Sequence, residues 1–507
     1  MLGLISKLKK FRLGESGAVA PIVAVVAVPL IMAAGVAVDY GNAVSIQAKL
    51  QAAVDAAALA AGREANLTDA ELRRIAEDYF HSNFGSPANT GTPSLTLSVN
   101  GDDLNVRGQV EVHNYLTKVA GFDTTLISAS SEVTKEATGL EVVLVFDNTG
   151  SMGSQSRLST LKVAAHDFVE ILFGPRETAD TLKIGVVPFS QFVNVGPDKS
   201  TAFWLDTEGK NAYSKKNFDN SKHNWWAWGQ LRNRTWTGCV ESRTGDMSVD
   251  DTLPDANNGA TLFPPAFAPD EPGNSSSRST LNGKKYYNSY LSDRKRGSDA
   301  SARQKYYRKY QGKSVSTSSR GPDRGCNIQP IQELINQKSP VLNTINNMRA
   351  SGYTHVAEGV GWGLRVLSPA EPFAEGVSYD DDKITKAMVL LTDGENTFNT
   401  GSSRYYNINK SSYTAYGYLG QARLGSSSYS TAITKQNQLL VKACNNVKAA
   451  DIVNYTFAYN VPSATQRSLI RNCATSPEKY FDPPSNAALV RSFQQIADEL
   501  RKLHLSR

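Results

Sequence analysis

Between Ala18 and Val38 the chain runs for 21 residues without a charge, AVAPIVAVVAVPLIMAAGVAV. A helix needs about 20 such residues to cross the hydrocarbon core of a bilayer. Inside a bilayer the backbone must satisfy its own hydrogen bonds, which a helix does within one segment. The run therefore predicts a transmembrane helix. Pro21 and Pro29 are unusual in a soluble helix but tolerated in a membrane one. Lys7, Lys9, Lys10 and Arg12 precede the run and Asp39 follows it. The positive-inside rule then places the N-terminus in the cytoplasm and the bulk of the chain outside. A cleaved signal peptide is the competing reading, but its apolar core would span about 7 to 15 residues. Here the helical pattern continues through YGNAVSIQAKLQAAVDAAALAAG, with no breaker before Gly62. The expectation is a retained anchor at 18–38, behind a basic segment at 1–17, with the helix projecting from the membrane like a stalk.

Residues 66–84 read as a second helix, capped by Asn66 or Thr68 with acidic residues in the first turn. PSLTLSVNGDDLNVRGQVEVHN then alternates apolar and polar residues around NGDD, a hairpin signal, and TLISASSEVTKE resembles a third strand. Residues 39–136 thus form a helical stalk with a small α+β, pilin-like module.

From Leu140 the pattern changes. EVVLVFD, TLKIGVVPFS, KAMVLLTD and DIVNYTFAY read as buried strands. They alternate with helices at 156–174, near 355–367 and near 433–450, and an amphipathic helix, ALVRSFQQIADELRKL, closes the chain. Such alternation predicts an α/β domain over 140–505, built on a mostly parallel, doubly wound sheet covered on both faces. Two stretches are too long for ordinary connections, 197–330 and 398–432, and read as insertions at one end of the sheet.

Ligands of such sheets bind beyond the carboxyl ends of the strands. Asp147 closes the first strand and Asp393 the third, so both fall there. Asp147, Thr149 and Ser151 stand at alternate positions, which in extended chain point to one side. Carboxylates with neutral hydroxyls make a hard-oxygen site that suits magnesium, manganese or calcium rather than zinc. Thr354 follows a glycine and precedes a helix, where it either joins this cluster or caps the helix.

These residues resemble the metal-ion-dependent adhesion site of von Willebrand factor A domains: D-N-T-G-S at 147–151, Thr354 in a G-x-T loop, and Asp393 in T-D-G. The motif's usual form has Ser where Thr149 stands, and the hydroxyl is retained. The resemblance implies that Thr149, Ser151 and Thr354 give hydroxyls to a divalent cation, Mg2+ first, with Mn2+ or Ca2+ as alternatives. Asp147 and Asp393 would bind directly or through water, and a carboxylate of a protein partner would complete the shell. The anchor region SGAVAPIVAVVAVPLIMAAGVAVDYGNAV…LQAAVDAAALAA looks like TadE/TadG-type proteins of the Flp (tight adherence) pilus system. GCVESR, TLFPPAFAPDEP, WGLRVLSP and NCATSPEKYF resemble the TadG-like members that carry an A domain. That resemblance implies a Gram-negative inner-membrane protein of pilus assembly or adhesion, with the bulk periplasmic or surface-exposed and with pilus or envelope components as partners. Related pseudopilins carry a Glu shortly after the processing glycine, whereas AVAPIVAV follows Gly17 here.

Enzymatic readings fail on spacing. Asn148 separates Asp147 from Thr149 where an aspartic protease needs D-T-G. Thr149 stands where a haloacid-dehalogenase-type phosphatase needs its second acid. Gly150 directly precedes Ser151, so the nucleophile elbow G-x-S-x-G is not formed. His166 and His355 read as structural, and the expectation is binding without turnover.

The cysteines, Cys239, Cys326, Cys444 and Cys473, form no C-x-x-C pair. In an oxidising compartment the simplest pairing is Cys239–Cys326 and Cys444–Cys473; the alternative is four buried thiols. The net charge of +6 is local, since Lys284 to Arg324 holds twelve Lys/Arg against three Asp. A nucleic-acid footprint is therefore not implied. The aromatic and basic stretches 222–239 and 284–313 support a second reading, a non-pilus adhesin or envelope scaffold binding glycan or matrix ligands. The plainer expectation is a partly ordered loop with solvated charges, whose Trp225, Trp226 and Trp228 shield one edge of the sheet.

Overall fold

The computed structural model describes residues 19–63, 67–100, 103–134, 139–273, 279–293, 297–315, 319–400 and 407–505. The basic segment 1–17 with Gly17, Ala18, Asn66 and the Gly101–Asp102 tip of the hairpin lie outside the described residues. The chain divides into two units, Met1–Ala137 and Thr138–Leu505.

The first unit is organised by one helix, α1 (Val19–Gly62). Its first half exposes an apolar surface, with Ile22, Val25, Leu30 and Ile31 each 60% exposed or more. Among the described residues it is the single helix long and apolar enough to cross a membrane. The second half does not stand free as a stalk. Ile46, Leu50, Ala53, Val54, Ala57, Ala58 and Ala61 recur at helical spacing and are buried against the module. α2 (Asp69–Phe84) starts at Thr68, whose hydroxyl accepts from the Glu71 N–H while the Glu71 carboxylate accepts from the Thr68 N–H. β1 (Ser94–Asn100), β2 (Asp103–His113) and β3 (Thr124–Thr134) form an antiparallel sheet in that order. Alternate residues of β2, Leu104, Val106, Val110 and Val112, face the two helices.

The second unit is a six-stranded sheet. In chain order its elements are β4 (Gly139–Asp147), α3 (Arg157–Phe173), β5 (Leu182–Phe189), β6 (Gln332–Ile335), α4 (Lys338–Asn347), α5 (Val356–Leu367), β7 (Ile384–Thr392), α6 (Tyr429–Ala449), β8 (Val453–Ala458), α7 (Ala464–Cys473), β9 (Tyr480–Phe481) and α8 (Asn486–Leu505). The strand order is β6-β5-β4-β7-β8-β9, with only β6 antiparallel to its neighbour. Alternation along β4 sorts its side chains. Val143 and Val145 join the core with α5 and α6, while Val142, Leu144 and Phe146 join the core with α3, α4 and α8. The sheet is thus doubly wound and resembles a von Willebrand A-like fold.

The insertions are folded into this core. Every residue of α5 is buried. Gly359 and Gly363 set its inner face against the sheet: a Cβ on Gly363 would lie 2.6 Å from Val145 Cγ2 and 2.9 Å from Met388 Cε. Its outer face is covered by insertion aromatics, with Phe263 4.7 Å from Trp362 and Trp204 6.0 Å from Phe263 between ring centroids.

Two expectations about the insertion are corrected. Trp225, Trp226 and Trp228 do not shield a sheet edge. They pack on Trp236, Tyr307 and Phe267 of the insertion itself, and with them extend the core on the α5 and α6 side of the sheet. Nor are all its charges solvated. Arg303 and Lys309 are buried and paired with Asp293 and Asp270, as a charge removed from water requires. Cys239 is bonded to Cys326 within the insertion, and Cys444 joins α6 to Cys473 of α7.

Candidate functional site

β4 and β7 are parallel neighbours with Phe146 opposite Leu391, so Asp147 ends one strand beside Thr392, the end of the other. The Asp147 carboxylate is buried. It accepts from the Thr149 N–H at 2.8 Å through Oδ1 and from the Thr392 hydroxyl at 2.7 Å through Oδ2. Ser151 does not align with Asp147 along an extended strand, as the alternate spacing suggested. The chain instead turns through a short 3-10 segment, Gly150–Gly153, and this turn brings Ser151 Oγ to 3.0 Å from Thr149 Oγ1. The Ser151 hydroxyl donates to Asp393 Oδ1 at 2.6 Å.

Thr354 approaches from a third loop. A Cβ on Gly394 would lie 3.3 Å from Thr354 Oγ1 and 4.0 Å from Ser151 Oγ, so both hydroxyls front the space above that glycine. Thr354 is not the cap of α5. The cap position falls on His355, which makes no side-chain capping bond, and the Val356 N–H donates instead to Asn396 Oδ1 at 2.9 Å. All five residues singled out in the sequence, Asp147, Thr149, Ser151, Thr354 and Asp393, therefore gather at one strand end.

Thr149, Ser151, Thr354 and Asp393 line a cavity of about 810 Å³ together with Arg157, Glu395, Thr397, Asn460 and Pro462, while Asp147 is buried. None of its lining residues comes from 197–330 or 398–432. Burial, together with the neighbouring Asp393 charge, pushes the Asp147 carboxyl above its ordinary range, against hydrogen bonds from Thr149 and Thr392. Arg157 partly offsets this crowding, donating from Nη1 to Asp393 Oδ2 at 2.7 Å. His355 lies between Phe398 and Tyr416 and is held neutral by burial, its pKa lowered to about 3.

Arg157, Thr392 and Asn396 were not identified from the sequence. Thr392 was recoverable, since it precedes Asp393 on a strand beside β4. Arg157 opens an ordinary amphipathic helix and carries no motif signal.

Among the described residues, no three His, Cys, Asp or Glu side chains gather as metal ligands. The cluster holds two carboxylates, and its remaining donors are hydroxyls. That donor set fits a hard divalent cation. The Ser151 proton points to Asp393, so the Thr149 hydroxyl donates to Ser151 Oγ, which keeps one lone pair free.

Comparison with known proteins gives a family match at the N-terminal segment and structural matches over most of the chain. The family described as "Putative Flp pilus-assembly TadE/G-like" matches residues 17–64. Comparison with curated proteins finds no match. Among solved structures, the pilus adhesin SpaC from Lactobacillus rhamnosus GG is 12% identical at TM-score 0.33, covering 82% of this chain and 34% of its own. The chain thus spans about a third of SpaC. The vWF domain of the type V pili tip protein Mfa5 from Porphyromonas gingivalis is 9% identical at TM-score 0.33, covering 73% of this chain and 97% of its own. The pilus adhesin RrgA from Streptococcus pneumoniae is 11% identical at TM-score 0.31, covering 81% of this chain and 49% of its own. The chain is similar to a TadE/G-like family over residues 17–64 and, at low identity, to solved pilus proteins.

Proposed function

We propose that this is an envelope protein of Flp/Tad pilus assembly or adhesion that binds an acidic protein partner through a divalent cation at the ends of β4 and β7. The observation that carries the reading is the convergence of Thr149, Ser151, Thr354 and Asp393 at an open cavity, with buried Asp147 accepting from the Thr149 N–H. Asp147 and Asp393 would supply charge, and the three hydroxyls would supply neutral oxygens. Mg2+ suits the set best, with Mn2+ or Ca2+ as alternatives. A bound cation would offer a coordination position to a carboxylate of the partner. The anchor supports placement in a bacterial inner membrane, N-terminus inside and the bulk periplasmic or surface-exposed. A glycan- or matrix-binding insertion is less favoured, because aromatics such as Trp204, Trp228, Phe263 and Phe267 are buried.

Titrating Mg2+, Mn2+ and Ca2+ into the detergent-solubilised full chain tests the site. Saturable binding should be lost in Asp147→Ala and in Asp393→Ala; unchanged binding in both variants overturns the assignment. The pilus role is tested by complementing a deletion strain. Wild type should restore surface pili where Asp147→Ala does not.

A further inference from the structure

The loop after β2 is tied to α1 at the point where the apolar run ends. Asp39 is only 6% exposed, and its carboxylate accepts from the backbone N–H groups of Tyr115 at 2.9 Å, Leu116 at 3.0 Å and Thr117 at 2.7 Å, and from the Thr117 hydroxyl at 2.8 Å. One turn earlier on the same helix face, a Cβ on Gly35 would meet Leu116 Cβ at 3.0 Å. The loop thus lies flat against α1 between residues 35 and 39. With a rise of about 1.5 Å per residue, Gly35 sits about 5 Å inside the end of the apolar run at Val38.

Apart from Lys118, the large outward side chains of the loop are apolar or aromatic. Val119 is 84% exposed, Phe122 67%, Tyr115 48% and Leu116 48%. Leu126 at the start of β3 adds another, 63% exposed. Val36, Val38 and Tyr40 of α1, within a turn of Gly35 and Asp39, are also each more than half exposed. Loops ordinarily present polar groups to water, and contiguous exposed apolar surface of this kind marks a contact. Here the loop is held at Asp39 and Gly35 against the end of the membrane-spanning helix itself, and that attachment names the occupant. Tyr115 and Lys118 suit the same place, since an amphipathic ring and a cation on an apolar stem settle at the headgroup level.

From this placement we infer that the 115–122 loop is a second membrane contact, with Leu116, Val119 and Phe122 seated in the lipid interface beside the exit of α1. The inference rests on α1 spanning a bilayer, and not on the metal site. Its consequence is that the module is fixed on the lipid surface at two points instead of swinging on a helix. The contact has the scale of an interfacial insertion, about 5 to 10 Å deep.

The test uses the full chain in phospholipid vesicles. Val119→Cys and Phe122→Cys place single labelling sites on exposed side chains, and Asn105→Cys, exposed at the other end of β2, serves as control. Each is labelled with an environment-sensitive fluorophore and read against lipids brominated at shallow acyl positions. The expected result is a blue-shifted emission at 119 and 122 that loses most of its intensity to the brominated lipid, with no loss at 105. Adding Asp39→Asn should reduce the quenching at both loop positions. Labels at 119 and 122 as water-exposed as at 105 overturn the inference. So does a blue shift without lipid quenching, which would mean that protein, such as a second copy, covers the loop.

Discussion

Replacing Arg157 by Met separates two demands placed on Asp393. In the structure the Arg157 guanidinium donates to Asp393 Oδ2 at 2.7 Å; the guanidinium side chain is 16% exposed and the carboxylate 0%. A charge-assisted hydrogen bond contributes about 1.5–3 kcal/mol. Removing one partner of a buried ion pair costs about 3–5 kcal/mol, because the other charge is left unpaired. Met keeps an unbranched apolar stem and removes the charge, so Asp393 would then face buried Asp147 with no compensating cation. Without divalent metal, Arg157→Met should melt several degrees below wild type. With metal the order of effects reverses, because the cation no longer competes with the guanidinium for the carboxylate. The gain in metal affinity is bounded by the lost hydrogen bond, about 10-fold to about 100-fold. Thermal unfolding and calorimetric titration of the full chain in detergent read both halves. The expected result is a lower melting temperature without Mg2+, a tighter Kd, and a metal-induced stabilisation larger than that of wild type. If the variant binds Mg2+ no more tightly and its loss of stability persists at saturating metal, the cation does not meet Asp393 and the reasoning is wrong.

Three further outcomes follow from the geometry. Converting both Cys239 and Cys326 to Ser opens a loop with a sequence separation of 87. In the chain-entropy picture this costs about 4–5 kcal/mol, against about 3–4 kcal/mol for opening Cys444–Cys473, and denaturant midpoints followed by Trp emission should fall in that order. Hydrogen bonds from the loop, led by that of the Thr117 N–H, hold the Asp39 carboxyl down to about 2 from an ordinary 3.8. A depressed carboxyl stabilises the fold fully above about pH 4, and that stability is lost as pH falls toward 2; hydrogen exchange across 114–122 should accelerate in that window, and in Asp39→Asn already at neutral pH. Gly363→Val should destabilise the second unit by about 1–3 kcal/mol through overpacking against Val145 and Met388, despite the better helix propensity of Val, as urea unfolding would show.

The strands were legible because their apolar runs are continuous and end at Asp147 and beside Asp393. A sheet covered on both faces needs such runs, and little else in the chain looks like them. β6 and α4 were not recognised: Gln332–Ile335 is four residues long, and Lys338–Asn347 has a weak apolar stripe. The site residues were legible through their spacing, but the means of convergence was not. The 3-10 turn at Gly150–Gly153, which turns Ser151 back onto Thr149, leaves no periodic trace. The helix of the stalk was visible for the same reason that its packing was hidden. An Ala-rich pattern signals helix, yet Ala53, Ala57 and Ala61 mark close packing only once the opposing sheet is known. The insertion was least legible, because its tryptophans and cations suit a solvent-facing binding loop as well as a buried core.

The packing of the insertions onto that core bears on how the site is held. Gln191 Nε2 donates to the Tyr413 carbonyl at 2.7 Å, and its Oε1 accepts from the Tyr353 N–H at 3.2 Å, so the loop before Thr354 is strapped to the 398–432 insertion. Tyr413 and Arg423 of that insertion, with Asn224 of the other, all donate to buried Glu241. α5, which begins just after Thr354, is enclosed by the sheet on one side and by Trp204 and Phe263 on the other. The insertions therefore buttress the Thr354 loop from behind without contributing to the cavity wall. The opposite flank is built differently. Ser151 lies on an exposed turn, and Arg157 reaches Asp393 from the first residue of α3. A site with one rigid wall spends less free energy on ordering when a ligand arrives. Rearrangement on binding should then fall on Ser151 and Arg157, which makes Arg157 the informative position to change.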